Sequence, residues 1–238
     1  MPYGYYYYWD PTYFLVLIGA VICLIASARV KTTFAKYSKE RSYSGMTGAQ
    51  AAERILNSAG IYDVRIEHIR GELSDHYDPK RKVLRLSDGV YDSASVAAVG
   101  VAAHECGHAI QHKEHYAPLN IRSAIVPAAN FGSAIAWPLI LVGLLISQGT
   151  GSFLITLGII CFSLAVLFQL VTLPVEFNAS GRAIRMLEGT GILGSEEIRS
   201  TKKVLSAAAL TYVAGAAAAI LQLLRLVILF GGRGRRND

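Results

Sequence analysis

Residues 12–28 read TYFLVLIGAVICLIASA, an apolar run without a charged side chain. Its length is close to the roughly 20 residues that a helix needs to cross the hydrocarbon core of a bilayer. The aromatic cluster YYYYW at residues 5–9 precedes it, and such clusters anchor helices at the lipid–water boundary. A cleaved signal peptide would need a positively charged segment first. We therefore predict an N-terminal aromatic anchor and a retained transmembrane helix in residues 1–28.

Three further runs are apolar over a comparable length. Residues 124–148 and 153–173 carry no charge, and residues 204–230 contain a single arginine. The chain is 53% hydrophobic and 17% charged, whereas an ordinary soluble domain is nearer ~45–50% and ~25%. We predict two transmembrane helices in residues 124–173, and a last membrane-associated segment with a basic tail in residues 204–238.

Lysine and arginine are distributed unevenly along the chain. None precedes residue 29, and Arg29, Lys31, Lys36, Lys39 and Arg41 then follow closely. By the positive-inside rule, the N-terminus lies outside and the segment after the first helix lies in the cytoplasm, as does the basic stretch 174–203. The net charge of +6 is explained by this topology. Because the sequence has no Gly-rich phosphate loop and no basic–aromatic pattern, we expect no nucleic-acid partner.

The last apolar segment leaves two alternatives open. Four full crossings would leave the basic residues 233–236 outside, against the positive-inside rule. Either the segment forms a re-entrant or surface hairpin near Gly215, or the tail is an exception. Arg225 within the segment either lines a polar interior or extends its charged end to the membrane surface.

The cytoplasmic region, residues 29–123, combines helices with short strands. Capping residues predict a helix at 47–59 ended by Gly60, and a second helix at 95–112 capped by Ser93 or Asp92. Between them, alternating apolar residues predict strands at 64–69 and 83–86, separated by a turn at 75–79. We also predict a cytoplasmic helical segment at 174–203.

The last helix of this region contains the sequence HECGH, from His104 to His108. Histidines at positions i and i+4 share one face of a helix, so both imidazoles can reach one Zn²⁺. Glu105 lies beside them and can act as the general base of a hydrolase. Gly107 is unfavourable inside a helix, which indicates close backbone packing near the site.

A catalytic zinc site needs a third protein ligand. His112 is eight residues from His104, about 12 Å along the helix axis, which is too far to share one ion. Glu176 follows Pro174, a good helix starter, and would begin an amphipathic helix at 176–187. Two apolar spans separate Glu176 from the HECGH sequence, so both lie on the same side of the membrane. Glu176 is therefore the expected third ligand, the alternative being a helix-cap carboxylate next to the membrane.

Two other groups of residues could have chemical roles. Asp75, His76 and Asp78 could bind a second metal, but a polar turn needs no metal. Cys106 could be a nucleophile or a ligand, yet it points away from the histidine face. The three cysteines of the chain predict no disulfide framework.

Four stretches together resemble the YugP-type zinc-dependent membrane proteases of bacteria, also called neutral zinc metallopeptidases. They are LSDHYDP at 73–79, LRLS at 84–87, AAHECGHAIQ at 102–111 and LPVEFNAS at 173–180. The resemblance extends over roughly residues 10–230. It implies a bacterial cell-membrane location and a gluzincin-like site with one Zn²⁺, held by His104, His108 and Glu176 with Glu105 as the catalytic base.

The chain departs from the wider superfamily at one position. There, an aspartate four residues after the ligand glutamate usually orients a ligand histidine, whereas this chain has Ser180, with Asn178 two residues earlier. Either side chain can supply that hydrogen bond. Candidates for stabilising the oxyanion are Arg182, Arg185, His112 and Tyr116.

We therefore expect a mainly α membrane protein: a helical transmembrane bundle with a small α+β zincin-like cytoplasmic domain. Its expected activity is zinc-dependent hydrolysis of membrane proteins or peptides at the cytoplasmic face of the bilayer, with substrate adding to the edge of the strand at 83–86. The main alternative is a zinc-containing membrane adaptor without turnover. A transporter is disfavoured by the scarcity of charges within the spans, and a site-2-type protease lacks the aspartate ligand that it would need in a later span.

Overall fold

The computed structural model describes residues 10–146 and 148–231. In chain order, the elements are α1 (Tyr13–Tyr37), α2 (Gly48–Ser58), β1 (Arg65–His68), β2 (His76–Asp78), β3 (Val83–Leu86), α3 (Val96–Lys113), α4 (Ala117–Leu145), α5 (Gln148–Thr190) and α6 (Ser195–Phe230). The predicted fold class, a mainly α membrane protein with a small α+β part, is confirmed. The aromatic cluster at 5–9 and the basic tail from 232 onward lie outside the described residues.

Four helices, α1, α4, α5 and α6, are long and apolar enough to cross a membrane. Each helix extends past at least one end of the apolar run from which it was predicted. The apolar run indicates only the part of a helix that suits the hydrocarbon core, and the helix itself can continue into polar sequence. Helix α1 has 25 residues and reaches Tyr37, well past the apolar run that ends at residue 28. The extra turns carry the first cluster of basic residues.

The predicted helix start after Pro174 is wrong, and one of the two alternatives for the last apolar segment is excluded. Helix α5 runs through Pro174 without interruption, and α6 runs through Gly215, which excludes the hairpin. Membrane-spanning helices tolerate an internal proline or glycine more readily than helices in water do. Because α6 is continuous, the other alternative remains as the prediction: the basic tail is an exception to the positive-inside rule.

The chain divides into two compact units. Among the described residues, the first contains residues 10–24, 127–146, 148–169 and 214–231, and the second contains Ile25–Val126 and Leu170–Val213. Within the first unit, α4 and α5 approach closely at glycines. A Cβ added at Gly132 would lie 2.7 Å from the Cys161 carbonyl oxygen. Small residues of this kind let membrane helices pack backbone to backbone.

Arg225 of α6 is paired inside the first unit. Its guanidinium lies 3.2 Å from the Asp10 carboxylate and 3.2 Å from the Thr12 hydroxyl, and 4.3 Å over the Tyr13 ring. The arginine therefore joins the end of α6 to the beginning of α1.

The second unit contains the sheet, whose strand order is β1-β3-β2. Strand β1 is parallel to β3, and β2 is antiparallel to β3. The predicted turn at 75–79 is wrong, because His76–Asp78 form β2 by pairing with β3. The expected free edge at 83–86 is also wrong, since β3 is central and β1 and β2 are the edges.

Helices α2 and α3 cover the sheet and bury its core, including Leu84, Leu86 and Ile55. The predicted capping box of α2 is confirmed, with the Gln50 N–H donating to the Thr47 hydroxyl at 3.3 Å and the Thr47 N–H donating to the Gln50 side chain at 3.0 Å. The predicted cap of α3 is wrong. Ser95 itself is the N-cap and accepts a hydrogen bond from the N–H of residue 98 at 3.2 Å.

Candidate metal centre

Three predicted ligands converge in the second unit. The ligand atoms of His104, His108 and Glu176 all lie within 4.8 Å of one another. Helix α3 presents the two imidazoles with ring centroids 4.8 Å apart and nearly perpendicular planes, and α5 supplies the carboxylate. The one-turn spacing on α3 places both rings on the same face, as the sequence predicts.

The distances between these atoms suit a tetrahedral metal. Glu176 Oε2 lies 3.3 Å from His104 Nε2 and 3.5 Å from His108 Nε2. Two ligand atoms each about 2.1 Å from one zinc ion are about 3.4 Å apart at the tetrahedral angle. Glu176 is 2% exposed, and its Oε2 is buried without a hydrogen-bond partner. Burying a carboxylate oxygen without a partner raises the free energy of the fold unless a cation binds it. Two imidazole nitrogens and this oxygen therefore fit Zn²⁺ as a set of ligands.

Each histidine is oriented by a hydrogen bond from its other ring nitrogen. His104 Nδ1 lies 3.1 Å from the Ser180 hydroxyl, and His108 Nδ1 lies 3.0 Å from the Gln111 side-chain oxygen. A proton on each Nδ1 leaves the Nε2 lone pair directed at the metal position. Ser180 thus takes the orienting position that the wider superfamily gives to an aspartate.

Gln111 is wholly buried and holds more than one part of the site together. Its amide nitrogen donates to the Val175 carbonyl at 2.8 Å and to the Asn178 side chain at 3.0 Å. The side chain thereby connects His108 to the segment of α5 that carries Glu176. Its position three residues after His108, on the same helix face, is the sequence signal that could have identified it.

The protonation of His108 is affected by opposing influences. Burial lowers the pKa of the imidazole, but the contact with Glu176 and the negative charges of Glu105 and Glu176 outweigh it, so the pKa is raised. The negative environment that favours a proton on this ring favours a divalent cation for the same reason.

Arg122, at the beginning of α4, contacts the other oxygen of the third carboxylate. Its guanidinium donates to Glu176 Oε1 at 3.3 Å. This leaves Oε2 as the oxygen that faces the histidines. Sequence analysis missed Arg122 because the role depends on a tertiary contact and has no local pattern.

A cavity of about 270 Å³ opens beside these residues. Its lining includes the catalytic candidate Glu105, the ligand pair His108 and Glu176, and further residues from β2, α4 and α6. Those further residues are Asp75, His76, Tyr77, Pro79, Leu119, Arg122, Ser123, Val126 and Tyr212. Glu105 is 7% exposed, so the carboxylate lies in a site that largely excludes water. Tyr212 is a second lining residue that sequence analysis missed.

Comparison with known proteins agrees with this geometry. A family model described as "Putative neutral zinc metallopeptidase" matches residues 12–231. The chain belongs to this family. It is 50% identical over 217 residues to the "Putative membrane protease YugP" of Bacillus subtilis (strain 168), covering 91% of this chain and 95% of that protein. No solved structure shows significant similarity to the chain.

In this member of the neutral zinc metallopeptidase family, the four sequence-derived candidates for the oxyanion stabiliser are not among the residues that line the cavity. The Tyr77 hydroxyl is 2.8 Å from His112 Nδ1, and burial together with the Asp63 and Asp78 carboxylates raises the pKa of Tyr77 to about 12. Arg182 donates to Asn178 at 2.7 Å and lies over the Tyr116 ring. Arg185 is also absent from the described cavity lining.

The proposed second-metal residues have structural roles instead. Asp75 accepts hydrogen bonds from the N–H and the hydroxyl of Ser87, at 2.7 and 3.0 Å. Asp78 accepts from the backbone N–H groups of residues 80 and 81, which with Arg85 lowers the pKa of its carboxyl. These residues do not form a metal cluster among those that the structure describes.

Cys106 faces away from the cavity. It is fully buried, and its thiol lies 3.6 Å from the Ala52 carbonyl oxygen. Burial, and then the Glu105 carboxylate, raise the pKa of this thiol well above its usual range. A thiol in such surroundings is a poor nucleophile, which disfavours a catalytic role for Cys106.

Gly107 is a point of close approach between α3 and α5, the helices that carry the candidate ligands. A Cβ at this position would lie 2.5 Å from the Ala179 carbonyl oxygen. The expected close packing is therefore present, and the contacted backbone immediately precedes Ser180. Absence of a side chain at residue 107 allows α3 and α5 to bring their ligands together.

Proposed function

We propose that this chain is a membrane-embedded zinc metalloendopeptidase that cleaves peptide bonds at the cytoplasmic face of the bilayer. His104, His108 and Glu176 hold one Zn²⁺, and Glu105 is the general base. The observation that carries the proposal is the buried Glu176 Oε2, which has no hydrogen-bond partner and lies 3.3 and 3.5 Å from the two imidazole nitrogens. This is a gluzincin-like arrangement.

When bound, Zn²⁺ supplies a Lewis acid that polarises the scissile carbonyl and makes water more acidic. Glu105 accepts a proton from the attacking water and then delivers it to the leaving amine. Ser180 and Gln111 keep the histidines oriented during this cycle. Arg122 and Tyr212 line the same cavity and can donate hydrogen bonds to a substrate oxygen that becomes negative.

Strand β2 is the edge on which we propose that substrate adds. It pairs with β3 on one side only, and its residues His76 and Tyr77 line the cavity that contains Glu105. An extended peptide could therefore add to β2 and pass the metal position. The role that sequence analysis gave to 83–86 moves to the neighbouring strand.

The site is close to the membrane in the sequence. Glu176 lies three residues after the apolar run 153–173 on the same continuous helix α5, or about 4–5 Å along its axis. A metal held there acts near the lipid headgroups, which suits membrane proteins or peptides as substrates. The basic residues around positions 29–41 favour the cytoplasmic face.

An adaptor that holds zinc without turnover is the alternative function. A structural zinc site has no use for a base, yet Glu105 is buried beside the ligands and lines the cavity. This placement favours the enzyme.

The experiment uses full-length protein purified in detergent, with zinc measured by mass spectrometry and cleavage measured on casein. We expect Glu105→Gln to keep zinc and lose cleavage, and Glu176→Ala to lose both. Glu188→Ala is the matched control, because this carboxylate is on the same helix but pairs with Lys202 at 3.3 Å. Cleavage by Glu105→Gln at the wild-type rate would refute the base, and full zinc in Glu176→Ala would refute the third ligand. Zinc-loaded wild-type protein that cleaves neither casein nor a peptide library would favour the adaptor.

A further inference from the structure

A second cavity, of about 460 Å³, lies in the second unit away from the metal centre. Its lining comes from the C-terminal half of α1 and the N-terminal part of α6. The lining residues are Arg29, Thr32, Thr33, Lys36, Tyr37, Lys202, Lys203 and Ser206. We call this group the basic groove. We propose that it binds the phosphate headgroup of an anionic phospholipid.

The α1 side of the groove is a single helix face. Arg29, Thr32, Thr33 and Lys36 follow the spacing i, i+3, i+4, i+7, which places side chains in one row. Two cations therefore bracket two hydroxyl-bearing residues over about 10 Å. The Thr32 hydroxyl donates to the carbonyl of residue 28 at 2.9 Å, so the row offers a phosphate two cations and the Thr33 hydroxyl.

The charges of the groove are largely uncompensated. The described lining contains four cationic side chains and no carboxylate. Lys202 pairs with the nearby Glu188 at 3.3 Å. Among the residues that the structure describes, Arg29 and Lys203 have no ion-pair partner, and Lys36 lies 5.2 Å from the centroid of the Tyr37 ring. Four like charges around one cavity repel one another, and an anionic ligand removes that repulsion.

The groove lies where both helices change from apolar to basic. Arg29 is the first charged residue after the run 12–28 of α1, and Lys203 is the last before the run 204–230 of α6. A ligand held by these side chains is thus at the level of the headgroups, where basic pockets between membrane helices bind anionic lipids. The hydroxyls of Thr33 and Ser206 have no hydrogen-bond partner among the described residues and can contact the phosphate oxygens. A phospholipid suits this position, because its phosphate can contact the basic side chains while its two acyl chains lie beside the apolar runs of α1 and α6.

The test titrates full-length protein in detergent with short-chain phosphatidylglycerol, short-chain phosphatidylcholine or inorganic phosphate, and measures bound ligand by native mass spectrometry. We expect phosphatidylglycerol to bind most tightly. Arg29→Gln combined with Lys203→Gln should weaken it by at least tenfold, since each cation near a lipid surface contributes about a fivefold factor.

The matched control is Lys31→Gln combined with Lys39→Gln, which removes the same charge nearby from residues that do not line the groove. It should weaken binding by less than threefold. An equal loss in the control would overturn the groove as a site, and equal binding of phosphatidylcholine would overturn recognition of the anion. Inorganic phosphate binding as tightly as phosphatidylglycerol would replace the lipid by a soluble phosphate. Zinc content of each variant, which should stay at the wild-type level, confirms that the second unit is folded.

Discussion

The contact between Gly107 and Ala179 makes one substitution decisive for the metal centre. In Gly107→Ala, the new Cβ would lie 2.5 Å from the Ala179 carbonyl oxygen, a distance that real Cβ atoms essentially never show. Moving the helices apart by about 0.5 Å brings the contact to 3.0 Å, its lower limit. Because metal sites tolerate deviations of only about ±0.2 Å in ligand distance, that displacement is enough to pull Glu176 from the histidines.

Two effects of this substitution on stability oppose each other. Alanine is favoured over glycine inside a helix by about 1 kcal/mol, whereas overpacking costs about 1–3 kcal/mol. The free energy of unfolding of the metal-free protein should therefore fall by at most about 2 kcal/mol. Zinc affinity should fall more clearly, by about 10–100-fold, which is the usual effect of displacing the groups that orient a metal ligand.

The assay measures zinc affinity by competition with a chelator of known affinity, and thermal unfolding of the metal-free protein. Gly181→Ala on α5 is the matched control, because its Cβ would lie 3.7 Å from the nearest atom, the Arg185 guanidinium. It should keep the wild-type zinc affinity and gain up to about 1 kcal/mol. If Gly107→Ala binds zinc as tightly as the wild type, close approach of α3 and α5 does not determine the metal geometry.

Three further predictions concern residues around the site. Ser180→Ala removes the hydrogen bond to His104, so zinc affinity in the same competition should fall by at least about tenfold, and Ser180→Thr should restore most of it. Arg122→Met leaves Glu176 Oε1 without its donor and should lower the free energy of unfolding of the metal-free protein, measured by thermal unfolding, by about 1.5–3 kcal/mol, which is the contribution of a hydrogen bond to a charged group. Cys106, in a variant whose other cysteines are serine, should not react with maleimide in the folded protein and should react fully in denaturant, as followed by intact mass.

Each of these three predictions would be contradicted by one specific result. Unchanged zinc affinity in Ser180→Ala would show that His104 needs no orienting partner. Wild-type stability of metal-free Arg122→Met would mean that the contact between Arg122 and Glu176 does not stabilise the fold. Rapid labelling of folded Cys106 would contradict its burial.

Sequence patterns predicted the parts of the site that depend on local geometry. The i, i+4 spacing of His104 and His108 determines a shared helix face, and the even number of spans before Glu176 limits the side on which it lies. Both inferences need only the period of a helix and the thickness of a bilayer. The structure accordingly brings these three residues together.

Contacts between distant elements were not predictable in the same way. Arg122 and Tyr212 reach the cavity only because α4 and α6 are packed around it, and nothing in their neighbouring residues indicates this. The strand His76–Asp78 has only three residues, too few for an alternating pattern, and forms because β3 offers unpaired hydrogen-bonding groups. Pro174 and Gly215 are local helix breakers, yet α5 and α6 continue through them, as long apolar helices in membranes can.

The order of the ligands along the chain has a consequence for biogenesis. His104 and His108 are synthesised well before Glu176, and α4 and the apolar part of α5 lie between them. While the ribosome is still translating those spans, the nascent chain has two of the proposed ligands and the proposed base but lacks the third proposed ligand. We expect the centre to be completed only after both spans have entered the bilayer, so a chain that fails to insert stays inert. For the same reason, a soluble fragment cut from residues 29–123 cannot reproduce the activity, and delayed insertion would delay its onset.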